Sequence, residues 1–123
     1  MAKLIKNNVQ WVGKVDWELR MFHGDELSTH NGTNYNAYLI KEEKTVLIDT
    51  VWSPFTEEFL RELAQVVDIK KIDAVVVNHA EIDHSGALKD LIAQIPNGPV
   101  YCTHNGVKSL KGHFHQDWNF KPV

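Results

Sequence analysis

The chain has 123 residues, 43% of them apolar and 24% charged, with a formal net charge of −3 and seven histidines. This is the length and composition of one globular domain. It excludes a basic nucleic-acid-binding face, since no Lys/Arg cluster is present, and a membrane span, since no apolar run approaches ~18 residues. The opening "MAKLIKNNVQ" lacks the apolar core of a signal peptide, so export is not indicated. Cys102 is the single cysteine. It excludes an internal disulfide framework, fits a reducing cytoplasm, and is expected to be buried as a small apolar residue.

In chain order, the first third reads as β-rich. "NVQWVGKV" places Val9, Trp11 and Val15 in loose alternation. "NYNAYLI" (34–40) and "TVLIDTV" (45–51) flank the charged "KEEK", which predicts an antiparallel hairpin. "WSPFTEEFLRELAQVV" changes period. Ser53 is a candidate cap, Pro54 suits the first helical position, and Phe55, Phe59, Leu60, Leu63 and Val67 mark one stripe. "DAVVV" (73–77) is wholly apolar, as a strand covered on both faces requires. "SGALKDLIAQI" (85–95) is helical by its apolar residues at 87, 88, 91, 92 and 95. "VYCT" (100–103) predicts a strand, "NGVKSL" (105–110) a short helix and "WNFKPV" (118–123) a last strand. The predicted order is a β meander followed by β-α-β-α-β-α-β, an α/β arrangement with right-handed crossovers between parallel strands. No repeat, low-complexity tract or linker divides it. A chain ending on a strand reads as part of a fold rather than its close.

The stretch "NHAEIDHSG" (78–86) carries the chemistry. His79, Glu81, Asp83 and His84 put four donors into six positions, between an expected buried strand and an expected helix. Active sites of α/β proteins gather beyond the carboxyl ends of such strands. Fully extended, 79 and 83 would stand about 13 Å apart at ~3.3 Å per residue. Metal–ligand bonds of about 2.0–2.2 Å do not tolerate that, and His84 has the wrong parity for an extended ribbon. The segment must therefore curl, turning through Asp83 into the helix, with Gly86 permitting close backbone approach. Two imidazoles and two carboxylates without thiolate favour iron or manganese over a Cys-rich zinc site, although zinc also accepts these donors. The four could serve two metals, His79 with Glu81 and Asp83 with His84, and two cations would relieve the repulsion between the carboxylates. Taken singly, each residue has an ordinary alternative. Asp83 or Ser85 can cap the helix, Glu81 can be a solvated loop residue, and either histidine can be structural.

"HAEIDH" resembles the H-x-E-x-D-H iron-ligand motif of the flavodiiron proteins. "NNVQWVGKVDWELRMFHG", "NYNAYLIKEEKTVLIDTV", "AQIPNGPVYCT" and "GHFHQDWNF" resemble the same family, in order, over essentially the whole chain. The resemblance implies residues 1–123 to be the amino-terminal half of a metallo-β-lactamase-like αββα sandwich, without the flavodoxin-like or rubredoxin domain. It implies His79 and Glu81 as ligands of one iron and Asp83 and His84 as ligands of the other, His84 not binding directly in some members. His23, in "MFHG", resembles a histidine near the diiron pocket that aids substrate or proton handling. His104, His113 and His115 do not match the family's ligand set and are expected on the surface. His30 has no supporting pattern.

The activity implied for the full-length parent is reduction of O2 to water or of NO to N2O, with electrons passed from rubredoxin or a rubredoxin-like domain through FMN in a flavodoxin-like domain. The family's remaining ligands, including a bridging aspartate, lie in the second half of the sandwich. A half-sandwich would leave an apolar sheet face open, so either a second copy of this chain or the missing half is expected to cover it. Two other readings stand beside this one. The chain could be a non-catalytic fragment or assembly unit with vestigial metal binding. It could also be a zinc hydrolase of the lactamase-like superfamily, although such relatives carry H-x-H-x-D-H, with His where this chain has Glu81.

Overall fold

The computed structural model describes residues 3–6, 8–16, 21, 22, 27, 28 and 33–123. Strands β1 (Lys3–Lys6) and β2 (Val9–Trp11) form an antiparallel pair. Sequence periodicity does not disclose β1, because its apolar residues Leu4 and Ile5 are adjacent. It is an edge strand, and they are 66% and 56% exposed, so no buried face imposes alternation. At Gly13 the chain leaves this sheet. A Cβ there would stand 2.0 Å from the Tyr35 carbonyl oxygen, an approach only glycine permits. β3 (Lys14–Asp16) then pairs with β6 (Thr33–Tyr35), and β4 (Met21–Phe22) with β5 (Leu27–Ser28), as two small ribbons. The strand expected over 34–40 is therefore two strands. β6 belongs to a ribbon and β7 (Tyr38–Lys41) to the main sheet, and the chain passes between them at Asn36 and Ala37.

β7 and β8 (Thr45–Ile48) form the expected hairpin, with Leu39 opposite Leu47. β9 (Ala74–Val76), β10 (Val100–Cys102) and β11 (Phe120–Pro122) extend the sheet by parallel pairing, in the order β1-β2-β7-β8-β9-β10-β11. Each parallel step moves one strand in the same direction. Right-handed crossovers then place helices α1 (Thr56–Val66), α2 (Ile82–Ser85), α3 (Leu88–Ile92) and α4 (His104–Phe114) on one face. The row Leu39, Leu47, Val75 and Val100 is fully buried and forms one core with Phe59 and Leu63 of α1, Leu88 and Leu91 of α3, and Leu110 of α4. Each such side chain contributes about 1.5–3 kcal/mol of burial. Tyr38, Ile48, Val76 and Tyr101 form the neighbouring row and point to the opposite face. The first three are half-buried and Tyr101 is exposed. Among the described residues no helix is long and apolar enough to cross a membrane.

The helices differ from expectation at their ends. Ser53 does not cap α1. Ser53–Phe55 form a 3-10 turn containing Pro54, and α1 starts at Thr56, whose hydroxyl donates to the Ser53 carbonyl at 2.7 Å. The helix expected over 85–95 is broken into α2 and α3. Ala87, Leu88, Leu91, Ile92 and Ile95 are nonetheless all buried, so the pattern reported the buried face correctly. The short helix expected at 105–110 is longer, because Thr103 caps it by accepting from the Gly106 N–H at 2.9 Å and it runs to Phe114. Gly112 does not stop it. It ends where His115 takes φ 54°, a left-handed cap that satisfies the last turn.

Candidate metal centre

β9 delivers the chain to the carboxyl edge of the sheet, where it curls at once. Glu81 is extended, with φ −64° and ψ 153°, and its carbonyl accepts the N–H groups of His84 and Ser85, both at 2.9 Å. The Ser85 hydroxyl folds back onto the carbonyls of Ala80 and Glu81 at 2.9 and 3.0 Å. The helix thus opens at Ile82, one residue before Asp83, and Asp83 sits in its first turn rather than capping it.

This curl cancels the parity that an extended segment would impose. One donor atom from each of His79, Asp83 and His84 lies within 4.8 Å of the others. The two imidazole rings meet edge to face, with centroids 4.8 Å apart and planes at 73°. His84 Nε2 is 3.3 Å from Asp83 Oδ2, and His79 Nε2 is 3.6 Å from Glu81 Oε2. Glu81 is outside the close trio and reaches toward His79. Its side chain is 55% exposed and that of His79 50%, whereas Asp83 and His84 are 13% and 22% exposed. The cluster therefore has a sheltered side and an open side.

β8 supports the turn from beneath. Its strand geometry ends at Ile48, and Asp49 takes φ 60° in the left-handed region. There its buried carboxylate accepts the N–H groups of Asn78 at 2.7 Å and His79 at 3.2 Å. Burial raises the pKa of Asp49. The N–H donors of His79 and Asn78, and positive charge on His84 and His79, act in the opposite direction. Thr50, wholly buried, donates its N–H to the His84 carbonyl at 2.8 Å. At Gly86 a Cβ would stand 2.3 Å from the Ser53 nitrogen, so glycine lets the turn lie against the 3-10 segment. Sequence reasoning missed Asp49 and Thr50, treating 45–51 as one strand. The available signal was a carboxylate and a hydroxyl directly after the apolar run "VLI".

Two imidazoles and a carboxylate in reach of one another suit a divalent transition metal, iron among them. His104, His113 and His115 are exposed and take no part in this grouping. His23 and His30 lie outside the described residues.

A mixed sheet with helices on one face and His/Asp donors gathered beyond a parallel strand defines an α/β domain with a candidate metal centre. The chain belongs to the metallo-β-lactamase superfamily, which matches residues 30–123. Within that superfamily its similarity is to the flavodiiron proteins. It is 58% identical over its whole length to the anaerobic nitric oxide reductase flavorubredoxin of Aeromonas hydrophila and 54% identical to that of Salmonella typhi, covering 25% and 26% of those proteins. Among solved structures, rubredoxin oxygen:oxidoreductase from Desulfovibrio gigas superposes with a TM-score of 0.93 at 41% identity, over all of this chain and 31% of that one. The flavodiiron protein of Giardia intestinalis gives 0.91 at 37% identity, over all of this chain and 30% of that one. The chain thus spans about a quarter of the length of the curated relatives it matches. Flavodiiron proteins carry a diiron site and, in full-length form, FMN. In this chain His79, Asp83 and His84 are the described residues grouped closely enough to hold a metal ion.

Proposed function

We propose that this chain supplies part of the diiron centre of a flavodiiron oxidoreductase that reduces O2 to water or NO to N2O, residues 1–123 being a portion of its metallo-β-lactamase-like domain. The observation that carries this reading is the gathering of His79, Asp83 and His84 beyond β9, in a chain so similar to nitric oxide reductase flavorubredoxins. His79 with Glu81 would hold one iron and Asp83 with His84 the other. Bound iron supplies the electrons that reduce the diatomic substrate. The side chains would orient the metals, Asp83 and His84 from the sheltered side and His79 and Glu81 from the exposed one. Electrons would reach the site from rubredoxin or a rubredoxin-like domain through FMN in a flavodoxin-like domain of the longer protein, in the cytoplasm. His23 would assist substrate or proton handling near the pocket. Glu81, where the hydrolase pattern has histidine, favours this reading over a zinc hydrolase.

Anaerobic loading with Fe2+ followed by metal analysis tests the proposal. With the remainder of the metallo-β-lactamase-like domain supplied, tight binding of two irons per site, as a paired centre requires, is the expected result, with loss of both in the Asp83→Ala, His84→Ala double variant. No iron, or one loosely held ion unaffected by these substitutions, would leave a non-catalytic unit. We infer also that a second copy of this chain covers the sheet face bearing Tyr38, Ile48 and Val76 when the chain stands alone.

A further inference from the structure

Thr50 is tied to the donor turn twice over. Its N–H and its Oγ1 both donate to one acceptor, the carbonyl of His84, at 2.8 and 3.0 Å across a sequence separation of 34 residues. The hydroxyl's other neighbour, the Val51 carbonyl, is 3.5 Å away, at the limit of a hydrogen bond. α2 is a single turn, Ile82–Ser85, so the carbonyls at its end need partners from outside the helix. A carbonyl oxygen has two lone pairs, and Thr50 addresses that of His84 with two donors from one fully buried residue. Holding this carbonyl fixes the peptide plane after His84, and with it the direction of the His84 Cα–Cβ bond. β8 pairs with β9 through Ile48 and Val76, so the residue doing the holding extends from the strand beside the one that delivers His79.

We propose that Thr50 is a positioning residue whose hydroxyl aims the His84 imidazole at His79 and Asp83. Its consequence for metal affinity rests on the reading of the turn as a metal centre. Its geometric consequence, the edge-to-face meeting of the His79 and His84 rings with centroids 4.8 Å apart, is read by a separate measurement. Thr50→Val removes only the hydroxyl and keeps shape and backbone N–H. Thr50→Ser keeps the hydroxyl and removes the methyl.

Two readouts on the 123-residue chain decide the matter. The first is the nuclear Overhauser effect between the ring protons of His79 and His84 in metal-free protein. It is expected in the parent chain and in Thr50→Ser, and lost or several-fold weaker in Thr50→Val. The second is absorption-monitored titration with Co2+ alone. Thr50→Val is expected to weaken binding about tenfold or more, the usual effect of losing an outer hydrogen bond at a metal site, and Thr50→Ser to restore it. Retention of both ring contact and affinity in Thr50→Val overturns the proposal. Loss of ring contact in a folded Thr50→Ser chain also overturns it, since the methyl would then be the group that matters, and this test stands even where Thr50→Val does not fold. If the parent chain takes up no Co2+, its own donors do not suffice to hold a metal, and the ring contact alone decides the role of Thr50.

Discussion

Cys102 is 3% exposed beneath Gly106, and burial pushes its thiol pKa up. The folded state therefore prefers the neutral thiol, while the unfolded chain ionises near the ordinary value of about 8.5. The folded-state pKa being the higher one, this contribution to stability is complete below that range and lost as pH rises through it. The urea midpoint is expected to fall between about pH 8 and 10, with a shallower fall in Cys102→Ala. Equal slopes in the two proteins would exclude the thiol as the cause. The identity of Cys102 as a buried residue was legible in the sequence, because it lies in the strand run "VYCT". The role of Asp49 was not. A carboxylate in a β-rich run carries no mark of which N–H groups it will accept, and those groups belong to Asn78 and His79, 29 and 30 residues on.

At the scale of elements, α4 shows how one side chain extends a helix of modest propensity. "HNGVKSLKGHF" contains two glycines, Gly106 and Gly112, each costing roughly 1 kcal/mol against alanine. Thr103 offsets part of this by accepting the Gly106 N–H, and Leu110 anchors the helix in the core. Thr103→Ala is expected to lower stability by about 1 kcal/mol, measured as a decrease in the guanidinium midpoint without a change in slope. An unchanged midpoint would assign the helix's length to packing alone. The apolar period marked the buried faces of α1 and α3 correctly, but the breaks at Phe55 and Gly86 left no trace in it. They depend on how the 3-10 turn and the donor turn press together, with Ser53 against Gly86.

Over the whole molecule, the sheet has one face covered by helices and another presenting Tyr38, Ile48, Val76 and Tyr101 in a single row. Apolar patches beyond a few hundred Å² favour association, and a net charge of only −3 opposes it weakly. The chain is expected to elute in gel filtration at micromolar concentration above its 14.1 kDa monomer mass, and Ile48→Lys, which puts a charge in the row, to elute as the monomer. A parent chain already running as a clean monomer would dismiss the second copy.

By itself the sequence determined the hairpin around "KEEK" and the crossovers after it, which helical faces are apolar, and that four candidate metal donors fall in one short stretch. These follow from local spacing, and the length of a metal bond already required the stretch to bend. Only the tertiary structure decided how it bends: that His79, Asp83 and His84 close on one another, that Glu81 stays at the rim, and that Asp49 and Thr50 hold the turn from β8. Those contacts join residues about 30 positions apart in the chain, and the partner of a buried hydrogen-bonding group is chosen by the packing of β8 against β9, which local spacing does not encode.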